Sequence, residues 1–75
     1  MEVATEESEL HPSVVEVLKF FVYSHLPAHL QSVSFECWYL AQKMAHSLPQ
    51  GPELTVGLRK LLEAKDCFVR ASLTD

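Results

Sequence analysis

Planar rings and a few cations are the side chains of this sequence with binding chemistry to offer. Tyr23, Phe35, Trp38 and Tyr39 supply the rings, and Arg59, Lys65 and Arg70 supply positive charge. Phe35 and Tyr39 are four apart with Trp38 beside them, on the side of their helix away from Leu30, Cys37 and Met44. Such a stripe is most often covered by another helix or a neighbouring subunit. The sharper alternative is that the rings stack on a planar ligand. Lys65 falls within the apolar arc of Leu54, Leu58, Leu61, Leu62, Phe68, Val69 and Leu73, where it either snorkels outward or meets an anion. Arg59 with Glu63, and Asp66 with Arg70, have i,i+4 spacing, which alone predicts solvated ion pairs worth about 0.2–0.5 kcal/mol each.

Other chemistry is poorly supplied. His25 and His29 are four apart, but Pro27 lies between them and no third ligand is near in sequence. Cys37 and Cys67 have no short-range cysteine partner, so neither a metal nor a disulfide framework is expected. With two glycines in all there is no phosphate-cradling loop, and no nucleophilic or paired-carboxylate motif suggests catalysis or a cofactor. The net charge of −4 argues against binding DNA or RNA polymers, which need a basic footprint, yet it allows a small anion held by a few local cations. No apolar run reaches membrane-spanning length and the start is acidic, so a cytoplasmic protein is expected.

The elements that must position these residues are helices. Residues 1–10 read as an acidic tail and 11–75 as one domain. A first helix begins near Pro12 and Ser13, with Ser13 and Glu16 at capping-box spacing and Val14, Val15, Leu18, Phe21 and Val22 as its apolar face. The break at 23–27 precedes a second helix from Pro27 to Leu48 with a core stripe of Leu30, Val33, Cys37, Leu40, Ala41, Met44 and Leu48. Pro49 to Pro52 marks a tight turn into the last helix, which runs to Leu73. Two helices of similar length on a short turn should lie antiparallel. The expected fold is all-α: a short N-terminal helix plus a long antiparallel helical hairpin. A chain of 75 residues without staples is marginal alone, which favours a symmetric oligomer.

Three segments carry a family likeness: Phe21-Val22-Tyr23-Ser24-His25-Leu26-Pro27, the stripe from Leu30 through Leu40 and Ala41, and the run from Leu58 to Ala71 that ends Val69-Arg70-Ala71. Over roughly residues 12–73 the chain resembles the small phage anti-CBASS sponge proteins, which sequester cyclic oligonucleotide signals of bacterial immunity without cleaving them. The resemblance implies a hexamer of helical hairpins in the cytoplasm of an infected bacterial host cell, with ligands such as cyclic GMP-AMP or cyclic tri-adenylate bound between subunits. It implies that Tyr23 stacks on a base of a cyclic dinucleotide and that Arg70 holds cyclic trinucleotides at a separate site. Family members also use a lysine on the first hairpin helix. Here that neighbourhood is Trp38 and Tyr39 and the nearest lysine is Lys43, so Lys65 is the alternative source of the charge. The ligand-binding candidates are therefore Tyr23, His25, Trp38, Tyr39, Arg59, Lys65 and Arg70. Two other readings stay open: a protein-interaction module using the aromatic face of the second helix, and a metal or redox switch through the cysteines and histidines.

Overall fold

A computed structural model describes residues 9–73, and among these the regular elements are all helical. Helix α1 spans Pro12–Leu18 and continues as a 3₁₀ turn, Lys19–Phe21. Helix α2 spans Ala28–Ser47 and α3 spans Pro52–Ser72. Residues 1–8 of the expected tail lie outside the described residues, while Leu10 is buried in the core.

Helix α1 is too short to persist unaided, so its start is fastened. The cap is His11, not the expected Ser13–Glu16 box. The Ser13 amide donates to His11 Nδ1 at 3.1 Å, and Pro12 occupies the first turn where its missing N–H costs nothing. The Ser13 hydroxyl lies 2.9 Å from Thr55 Oγ1 and so ties α1 to α3. Glu16 pairs instead with Lys19 at 3.0 Å. The His11 amide donates to Gln50 Oε1 at 2.9 Å, pinning the same end to the α2–α3 connection.

Val22 turns extended and stops the 3₁₀ turn, and the Leu26 amide donates to the Tyr23 carbonyl at 3.0 Å in the break. Pro27 then stands just before α2 as its N-cap, where a proline interrupts no helical bond. Pro52 opens α3 with Glu53 in its first turn, as the dipole favours.

The core joins Val14, Val17, Leu18 and Phe21 of the first segment to Cys37, Ala41 and Ala45 of α2 and to Leu54 and Leu58 of α3. Ala41 and Ala45 are four apart, and their small side chains let the first segment and α3 come close; Phe21 and Val14 are fully enclosed. Ser34 is also buried, and its hydroxyl has no hydrogen-bond partner among the described residues, at a cost of about 1–3 kcal/mol.

The apolar stripes expected from periodicity are broader than this core. Leu40 of α2 and Leu48 at its C-cap, and Phe68 of α3 and Leu73 at its C-cap, are exposed. The reason is length: at 1.5 Å per residue α1 is about 10 Å long and α3 about 30 Å, so α1 cannot cover the distal turns. Nor can it cover both sides of the α2–α3 pair. A groove of about 260 Å³, lined by Leu40, Met44, Leu48, Gly57, Leu58 and Leu61 among others, receives no residue of α1. A methyl added at Gly57 would meet nothing within 4 Å.

Candidate functional site

The break and α2 bring the predicted rings together. Tyr23 sits in the break, and Phe35, Trp38 and Tyr39 project from adjoining turns of α2. Tyr23 meets Phe35 edge-on with centroids 5.5 Å apart and Trp38 at 5.6 Å. Phe35 lies tilted against Trp38 at 5.9 Å and stacked on Tyr39 at 6.2 Å. These spacings fall within the range in which ring pairs contribute about 0.5–1.5 kcal/mol beyond burial. Tyr23 and Trp38 are half-buried, whereas Tyr39 is 55% exposed. The set is a rigid wall with its outer rings open, formed within one chain.

Residues of the break take their places from α2. The Gln31 amide donates to the Leu26 carbonyl at 2.7 Å, which holds the return of the chain against the first turns of that helix. His25 is exposed in the break and is absent from the ring contacts that join Tyr23 to α2.

The α3 cations are placed differently. The Lys65 side chain is 13% exposed, and its Nζ lies 3.3 Å from Asp66 Oδ1. The anion it meets is thus its own neighbour in sequence. Its ammonium is also close enough to bear on the buried Cys37 thiol, drawing it down, although burial wins and pushes that thiol up. Lys65 therefore faces the α2–α3 seam. Arg59 and Glu63 are exposed and form no ion pair among the described residues, so the expected i,i+4 bridge is missing. Asp66 is engaged by Lys65, and Arg70 Nη2 donates to Cys67 Sγ at 3.3 Å. Lys43 is exposed and lies about 140° around α2 from Trp38, so it does not serve the rings either.

One cation does approach them. Lys19, from the 3₁₀ turn, lines a cleft of about 470 Å³ together with Val15, Leu18, Val22, Trp38 and Gln42. Neither Lys19 nor Gln42 is among the binding candidates that the sequence pattern marks. The signal for Gln42 was its i+4 spacing from Trp38; Lys19 could be found only once the 3₁₀ turn was known to lie beside α2. A second cleft, of about 320 Å³, lies at the α1 cap and is lined by His11, Ser13, Gly51, Pro52, Thr55 and Val56.

No group of three histidine, cysteine or acidic side chains among the described residues is arranged to hold a metal ion. Cys37 is buried and Cys67 exposed, and both are free thiols. No described helix is long and apolar enough to cross a membrane. What the site offers chemically is stacking, apolar contact and single positive charges. No protein family, curated protein or solved structure matches this chain.

Proposed function

We propose that this protein is a non-enzymatic sponge that binds and sequesters cyclic oligonucleotide second messengers, cyclic dinucleotides or trinucleotides, and so blocks bacterial anti-phage immune signalling. The single observation that carries the reading is the wall of four rings, Tyr23, Phe35, Trp38 and Tyr39, with its outer members open. A cyclic oligonucleotide presents flat bases joined by singly charged phosphates, so rings and a few cations suffice to hold it. Stacking alone contributes about 1–3 kcal/mol per base.

In this reading α2 and α3 form an antiparallel hairpin, and hairpins assemble into a symmetric oligomer, a hexamer by resemblance, in the host cytoplasm. Support comes from the groove beside Leu40 and Gly57, left open by the described residues, which a second copy would close. In such an assembly Arg59 and Arg70 are the candidates to meet a ligand held by a neighbouring subunit.

The test is a thermal-shift panel of cyclic dinucleotides and trinucleotides, since a ligand that binds only the folded state raises Tm. An unmoved melting curve at high ligand concentration sinks the reading, and intact ligand recovered after heating distinguishes a sponge from a nuclease. Tyr23→Leu should weaken cyclic dinucleotides by about 5- to 150-fold, the equivalent of one lost stack. Arg70→Ala should weaken trinucleotides selectively. Calorimetry that shows equal losses of both ligand classes in both variants points to one shared site. The exposure of Tyr39 and Phe35 favours a second reading, a protein-interaction module. A pull-down of one protein partner that Tyr39→Ala abolishes, with nucleotides inert, would establish it.

A further inference from the structure

The cleft between the first segment and α2 differs from the other hollows of the molecule. Three of its walls are apolar, Val15, Leu18 and Val22; its remaining lining is one indole, one amide and one ammonium. Trp38 is held from one end by Phe35, a turn earlier on α2, and by Tyr23 from the break, at 5.9 and 5.6 Å. The ring therefore has little freedom left to lose when a ligand arrives. Gln42, one turn later on α2, makes no hydrogen bond to another described residue, so both its donor and its acceptor are available to the edge of a heterocycle. Lys19 is paired with Glu16 across an exposed i,i+3 contact whose partners are 63% and 68% exposed. A pair of that kind is worth about 0–1 kcal/mol and yields readily to a better anion.

From this geometry we infer that the Lys19–Trp38–Gln42 cleft is a nucleotide subsite. One base lies against Trp38 and the apolar walls, Gln42 bonds the edge of the base, and Lys19 meets the adjoining phosphate. The inference rests on the sponge reading for the cyclic form of its ligand, but it adds Lys19 and Gln42, which that reading does not name. It also supplies the charge beside the rings that Lys65, turned to Asp66 and Cys37, does not.

Trp38 is the only tryptophan and borders both the cleft and the ring wall, so its fluorescence reports binding at either, and the Lys19 and Gln42 variants tell the two apart. Cyclic GMP-AMP, cyclic di-AMP and the mononucleotides AMP and GMP are titrated into the intact protein and into Lys19→Gln and Gln42→Ala. The expected result is saturable quenching, at least tenfold weaker affinity in Lys19→Gln, a reduced salt dependence in that variant, and an altered preference between AMP and GMP in Gln42→Ala. A cyclic dinucleotide that raises Tm with less than a twofold effect of Lys19→Gln, and with no change of base preference in Gln42→Ala, overturns the cleft and leaves the sponge reading standing. Quenching by AMP or GMP that depends on Lys19, with no Tm response to any cyclic compound, sustains the cleft and overturns the sponge. Lys19→Gln remains a sound probe because its side chain is exposed; circular dichroism of each variant checks that the fold is kept. Quenching that survives Lys19→Gln unchanged for every nucleotide also overturns the proposal.

Discussion

At Cys37 burial and charge pull in opposite directions. Desolvation raises the thiol and the nearby Lys65 ammonium lowers it, with burial the larger. The folded chain therefore holds this proton to higher pH than the unfolded chain does. As pH climbs through the ordinary thiol range the unfolded state binds fewer protons, so stability falls on the alkaline side. Reactivity should divide the two cysteines in the same way. Under native conditions iodoacetamide should modify the exposed Cys67 quickly and Cys37 only on the timescale of opening, as followed by intact mass. Equal rates would mean that α2 and α3 do not seal this position. Lys65 shows how far a residue can be read without its neighbours. Its place on the apolar arc was legible, and so was the choice between snorkelling outward and meeting an anion. That the anion is the adjacent Asp66 depends on how the last turns of α3 meet α2, which no spacing records.

Element boundaries were largely legible, because prolines mark them: Pro12, Pro27 and Pro52 each stand at a helix start. What periodicity could not supply was the extent of cover. An apolar stripe states which side of a helix avoids water, not how long its neighbour is, and the brevity of α1 leaves Phe68 and Leu73 exposed. The rings were visible as a group on α2, yet the addition of Tyr23 from the break needed the fold. The His11 cap was hidden for another reason, since Ser13 and Glu16 offered a familiar alternative that Thr55 and Lys19 take apart. His11→Ala should lower stability by about 1 kcal/mol, the usual worth of a cap, through loss of the acceptor for the Ser13 amide. His11→Asn should restore most of it. Urea midpoints of the two variants decide the matter, and an unchanged midpoint in His11→Ala would assign the fastening of α1 to Ser13 and Thr55 instead.

On the scale of the whole molecule, the described residues extend 47 Å in length and 15 Å through the thinnest dimension, and among them the first segment packs on one broad side of the α2–α3 pair. Leu40 is 42% exposed on the other side. A charge placed there should leave the buried core intact and act on association alone. Leu40→Glu is expected to shift the protein towards monomer in sedimentation velocity, with helical content unchanged; a native protein already monomeric at high concentration would remove the assembly from the account.

Gly57 lies in that groove, near the start of a helix in which alanine would hold the backbone better by about 1 kcal/mol. There is room for the methyl in an isolated chain. A lone molecule thus gives up rigidity at a point where its own packing asks for none, and the bare backbone leaves a dent that another chain could approach closely. Rigidity and fellowship between copies would then be opposed at one carbon atom: the added methyl steadies the solitary chain and holds its neighbour off.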